Sequence, residues 1–79
     1  MGCLIEIVFS KKSDDARMSK FYKRHRTLFA QSDLVSKDKT DGDRTRDRRY
    51  VLPGIEHASK YIHDTLRSDS RIVSVKIIS

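Results

Sequence analysis

The chain has 79 residues, with 17 Lys and Arg against 11 Asp and Glu, which leaves room for one small domain over 1–79 with a thin core and excludes a large multi-step enzyme. A formal charge of +6 favours a polyanionic partner. The longest apolar runs, Cys3 to Ile5 and Ile7 to Phe9, are split by Glu6 and fall far short of the roughly 20 residues of a membrane span, so no membrane partner is expected.

The first segment alternates as a strand should: Cys3, Ile5, Ile7 and Phe9 share one face, and Leu4, Glu6, Val8 and Ser10 the other. Ser13 before Asp14 and Asp15 then reads as a helix N-cap, with acidic residues where the helix dipole favours them. Met18, Phe21, Tyr22 and His25 follow on one helical face, and Arg17, Lys20 and Arg24 line another. The boundary of this helix is placed near Arg26.

Thr27 to Val35 and Arg48 to Leu52 can pair as a hairpin. Ser36 to Arg49 has ten charged residues among fourteen and no aliphatic or aromatic side chain, so 36–49 is read as a flexible charged loop outside the core. Pro53-Gly54 marks a second helix of about 14 residues, with Ile55, Ala58, Ile62 and Leu66 at helical spacing. Its opposite face carries Glu56, Lys60, His63, Asp64 and Arg67 and is expected to be solvated. A last strand from Ile72 places Val73, Val75 and Ile77 inward, and the two terminal strands are expected to pair near the sheet centre.

The resulting order, β-α-β-β-α-β, predicts a small two-layer α+β sandwich, ferredoxin-like, with both helices on one face of a four-stranded antiparallel sheet. A longer first helix would give β-α-α-β instead. The single cysteine cannot form an internal disulfide, so a chain this short is expected to gain stability as a homodimer. A basic start and an apolar stretch of about 7 to 15 residues, the marks of a secretory signal, are not seen before the first charge, and a cytoplasmic location is expected.

Two basic stretches carry most of the charge excess. Residues 11–26 hold seven basic groups against Asp14 and Asp15, and residues 37–49 hold six against four acids. In the first, Arg17, Lys20, Lys23, Arg24 and Arg26 can hold a phosphate backbone while Tyr22 stacks on an unpaired base, with His25 lying among them. In the second, Arg44, Arg46, Arg48 and Arg49 could reach successive phosphates as bidentate donors. Asp38, Asp41, Asp43 and Asp47 lower the field of that stretch, so a solvated, self-compensating segment competes with the binding reading.

Other chemistries find little support. The first strand lacks the aromatic pattern of an RRM, no KH-type glycine loop appears, and one cysteine excludes a zinc finger. His57 and His63 stand about 240° apart round a helix and cannot share a metal. Gly42 at the sixth position of a calcium loop would put Lys37 and Lys39 at ligand positions, and Glu6 replaces the hydroxyl residue of an acylation motif. No metal or cofactor is expected. A metal-independent ribonuclease, pairing Glu56 or a histidine with another histidine, remains a minority reading.

In size, basicity and the strand-first, strand-last layout, the chain resembles the small early proteins with which tailed phages counter host defence, and among these the RNA-binding inhibitors of an RNase toxin in T-even phages (the TifA type). The likeness rests on Leu4 to Phe9, Lys20 to Arg26, Arg44 to Arg49 and Arg71 to Ile78, and is one of general form, so no functional residue is carried over. It implies a non-enzymatic dimer in the host cytoplasm that binds RNA and blocks a toxin-antitoxin RNase. The residues themselves support weakly sequence-specific, mainly electrostatic RNA binding. The alternatives are an inhibitor that docks its basic faces on an acidic host enzyme, and the small ribonuclease.

Overall fold

A computed structural model describes residues 1–10 and 13–79. Four strands and three helices follow in chain order: β1 Cys3–Phe9, α1 Asp15–Arg24, α2 Arg26–Phe29, β2 Ser32–Lys39, β3 Thr45–Val51, α3 Ile55–Asp64 and β4 Ile72–Ile77, with a 3-10 turn at Leu66–Ser68 before the last strand. The strands form one antiparallel sheet in the order β2-β3-β1-β4. The expected α+β sandwich with ferredoxin-like order is therefore observed.

Each element forms for a local reason. Strict alternation in β1 buries Cys3, Ile5, Ile7 and Phe9 under the helices; at roughly 1.5–3 kcal/mol per fully buried large side chain, this strand is the main apolar contribution of the sheet. Asp14 rather than Ser13 caps α1, its carboxylate accepting the Arg17 backbone N–H at 2.8 Å. At His25 the backbone leaves helical geometry (φ −102°, ψ 33°) and a single further turn, α2, buries Leu28 and Phe29. Phe9, Phe21, Tyr22 and Phe29 meet there at ring-centroid distances of 5.0–6.1 Å, mostly edge to face, a geometry that suits the ring quadrupoles.

The stretch read as a loop over 36–49 is mostly strand. A hairpin does join β2 to β3, but β2 runs on to Lys39 and β3 resumes at Thr45. The turn between them is closed by Thr40 N–H on the Arg44 carbonyl (2.9 Å) and Asp43 N–H on the Thr40 carbonyl (2.9 Å). Asp43 takes a left-handed φ of 60°, which aspartate tolerates better than most residues. Composition misled because β2 is largely exposed and over this stretch β3 turns the polar Thr45 and Asp47, rather than aliphatic residues, into the interior. The weak second strand also starts later than Thr27, because Arg26–Phe29 continues as helix.

Both edge strands carry a β-bulge. The register of β2 against β3 shifts between Leu34 and Ser36, and that of β4 against β1 shifts so that Phe9 faces Ile72 while Val8 faces Ser74. The second bulge corrects the expectation for Val73, which is exposed, whereas Val75 and Ile77 stay on the helix side. β4 does pair with β1, but as an edge strand; the centre of the sheet is β1 with β3. α3 starts after Gly54, as Pro53-Gly54 suggested, and gives way to the 3-10 turn after Asp64.

Candidate nucleic-acid interface

The two basic stretches lie differently once folded. Helical periodicity turns Met18, Phe21 and His25 inward and leaves Lys20, Lys23, Arg24 and Arg26 exposed, with Arg17 half-buried on the flank. Among the described residues, none of these five cations makes an ion pair, and the Arg17 Nε is buried without a hydrogen-bond partner. Among the described residues, their charge is therefore uncompensated.

The arginines of β3 are already engaged. Arg46 and Arg48 point to the helix-free face of the sheet, opposite Val8 and Glu6 of β1. Arg46 makes a two-pronged pair with Asp38 (Nε–Oδ1 2.9 Å, Nη2–Oδ2 2.6 Å). The hydrogen bond from Arg46 is the first reason that the Asp38 carboxyl is held below its ordinary range. Arg48 donates to Glu6 at 3.0 Å and to the Ser36 hydroxyl at 3.3 Å. Glu6 also pairs with Lys76 at 3.4 Å, so the open face is a lattice of matched charges. Arg44, in the turn, donates to the Ser10 carbonyl at 3.3 Å.

Arg49 falls on the opposite side, facing the helices beside Asp47, because side chains alternate along β3. Asp47 is fully buried. It accepts the Tyr22 hydroxyl proton at 2.7 Å, and Arg49 Nε lies 3.5 Å from the same oxygen, near enough for an ion pair but not aligned as a hydrogen bond. The Arg49 guanidinium covers the Tyr22 ring at 3.9 Å. Burial first, and then the bond to Asp47, pushes the Tyr22 hydroxyl pKa far upward. Tyr22 is thus a structural hinge between α1 and β3, with one ring face already taken by a cation, and the expected free stacking surface is not presented.

Between α1 and β2 runs a groove of about 540 Å³ that brings Lys23 and Arg26 together with Lys37 and Arg49 over an apolar floor containing Phe29 and Leu34. Lys37 was not singled out by the sequence reading; antiparallel pairing with Asp47 places it there. Asp15 holds Lys37 at 3.3 Å across the groove mouth. Arg46 and Arg48 are cut off from this groove by the sheet itself, so the ten sequence-derived residues do not form one continuous clamp.

His25 was expected among surface cations and is instead 2% exposed. Its Nδ1 lies 2.9 Å from the Tyr61 hydroxyl and its Nε2 2.6 Å from Asp69 Oδ2. Burial opposes ionisation of Asp69, but the Arg71 backbone N–H, His25 and the Arg71 guanidinium outweigh it and hold its pKa below the usual value. Both imidazole nitrogens are occupied, so neither is placed to exchange a proton with a substrate. The helical spacing that put His25 with Met18 and Phe21 was the signal of its burial. His57 and His63 are exposed on α3. Among the described residues, no helix is long and apolar enough to cross a membrane.

Comparison with family models, with curated proteins and with solved structures gives no match for this chain.

Proposed function

We propose that this protein is a non-enzymatic RNA-binding protein that holds the phosphate backbone electrostatically, with little sequence selectivity, on the basic side of α1 and its continuation into the groove beside β2. The observation that carries the reading is the contrast in pairing: the α1 cations have no acidic partner among the described residues, whereas Arg46, Arg48 and Arg49 each have one. An unpaired cation releases counterions from a nucleic acid without first breaking an internal pair. The proposed contacts are Lys20, Lys23 and Arg26 as primary phosphate ligands, with Arg17 and Arg24 at the flank and Arg49 and Lys37 inside the groove.

In the role implied by the resemblance to phage anti-defence proteins, such binding would withhold RNA from an RNase toxin in the host cytoplasm. The same proposal includes a homodimer, supported by the exposed Leu34 and Val35 on edge strand β2 and readable by sedimentation velocity. Fluorescence anisotropy with a labelled single-stranded RNA tests the binding: a fivefold rise in salt should weaken it by orders of magnitude. Affinity indifferent to salt, or a cellular complex that survives RNase without any nucleic-acid absorbance, would replace this reading with docking on an acidic protein.

A further inference from the structure

A second pocket lies where the end of α1 meets the 3-10 turn and the start of β4, on the side of α1 away from the groove. Its volume is about 270 Å³, just below the roughly 300–1,000 Å³ of sites that enclose a whole small molecule. The size suits a single compact group. Arg24 and Arg71 line it together with Thr65 and Ser70, and His25 and Asp69 lie at its base.

What the pocket offers a ligand follows from which of its groups are already spent. Asp69, only 3% exposed, has both oxygens engaged: Oδ1 accepts the Arg71 backbone N–H at 2.9 Å and Oδ2 faces His25 Nε2 at 2.6 Å, while Arg71 Nη1 reaches both at 3.3 and 3.1 Å. Its negative charge is therefore internally compensated. His25 is closed off on its other side by Tyr61. This buried network fixes Arg71 so that only one end of its fork is used. Among the described residues, the Arg24 guanidinium, Arg71 Nη2 and the hydroxyls of Thr65 and Ser70 have no partner. The uncommitted groups are two guanidinium donors and two hydroxyls around a mostly polar hollow.

We propose that this pocket binds a phosphate group, presented as a terminal phosphomonoester by an RNA end or by a free nucleotide. Phosphate has three or four acceptor oxygens and suits forked guanidinium donors supplemented by hydroxyls. A carboxylate would leave part of this donor set unused. The site shares only the flanking Arg24 with the face proposed for the RNA backbone, since Lys20, Lys23 and Arg26 take no part in it.

The test is titration of the full-length, isotopically labelled protein with inorganic phosphate at constant ionic strength, read from the amide resonances of Thr65, Ser70 and Arg71. Saturable shifts are expected there in the wild type, weakened at least tenfold in Arg24→Gln. Arg24 has no partner among the described residues and is exposed, so this variant keeps the fold. Ser70→Ala should weaken binding by a smaller factor, and Lys20→Ala with Lys23→Ala should leave it unchanged. RNA with a 5′ phosphate binding several-fold tighter than the same RNA with a 5′ hydroxyl would name the RNA end as the source. Equal affinity for the two, with phosphate and nucleoside monophosphate still shifting the pocket, would name a free nucleotide. No shifts at these amides, equal shifts with acetate, or an Arg24→Gln variant that binds phosphate as well as wild type would overturn the proposal. Loss of RNA binding in the lysine variant with phosphate binding intact would implicate only the α1 face.

Discussion

The Arg49 guanidinium sits 3.9 Å from the centroid of the Tyr22 ring, so a cation from β3 is laid over an aromatic plane from α1. Asp47 completes the arrangement by accepting the Tyr22 hydroxyl proton. Tyr22 and Arg49, which a sequence reading would send to a binding surface, instead join Asp47 in tying the helix layer to the sheet.

Tyr22→Phe should consequently affect stability more than binding. It leaves the buried Asp47 carboxylate with Arg49 alone, at a cost of about 1–3 kcal/mol for an unsatisfied buried acceptor, measured by urea unfolding. RNA affinity should be unchanged. The pH dependence has a definite sign. An unfolded tyrosine ionises near pH 10, while native Tyr22 stays protonated well above that, because of burial and then Asp47. Unfolding therefore releases a proton above about pH 10, and stability falls as pH rises through that region. The phenylalanine variant should lose less over the same alkaline range, and parallel curves for the two proteins would contradict the contact.

Asp69 should control the acid limb. Its native pKa lies below the ordinary value despite burial, because the Arg71 backbone, His25 and the Arg71 side chain favour the carboxylate. That contribution is present above the unfolded value of about 4 and is lost as pH falls through the lower native value. Asp69→Asn should be less stable than wild type at neutral pH, with the gap narrowing below about pH 4. A gap that stayed constant on acidification would show that the carboxylate charge is not what His25 and Arg71 hold.

Phe21 is fully buried and touches Phe9, Tyr22, His25 and Phe29. Phe21→Ala should cost about 3–5 kcal/mol. For 79 residues the whole stability is roughly 4–12 kcal/mol, so the variant should have a much lower urea midpoint or be unfolded outright by circular dichroism. A loss under about 1 kcal/mol would mean that this aromatic cluster is not the centre of the core.

Much of the fold was legible in the residues, and for identifiable reasons. The alternation of Cys3, Ile5, Ile7 and Phe9 and the three-and-four spacing of Ala58, Ile62 and Leu66 are signals of apolar burial, and apolar burial is what periodicity detects. The hairpin strands were hidden because β3 faces the helices with the polar Thr45, Asp47 and Arg49, Asp47 being held by Tyr22 and Arg49 while the Arg49 guanidinium lies over the Tyr22 ring. Val73 was misplaced because a bulge shifts register without leaving a mark in the composition. For the candidate interface, the cations of α1 could be read from helical spacing alone. That Arg46 and Arg48 are matched to Asp38 and Glu6 depends on cross-strand register, which becomes visible only in the folded sheet.

The central claim is that RNA binding rests mainly on the unpaired cations of α1 and the start of α2, not on the arginines paired across the open face of the hairpin. The most direct measurement is the slope of log affinity against log salt for a single-stranded RNA, compared among wild type, Lys20→Ala with Lys23→Ala and Arg26→Ala, and Arg44→Ala with Arg46→Ala and Arg48→Ala. At about −0.7 per phosphate neutralised on a single strand, the α1 variant should lose close to 2 units of slope together with most of its affinity. The hairpin variant should lose less than half as much. Both should remain folded by circular dichroism. A hairpin variant that loses the larger share of slope and affinity, beside an α1 variant that binds as wild type does, would contradict the account.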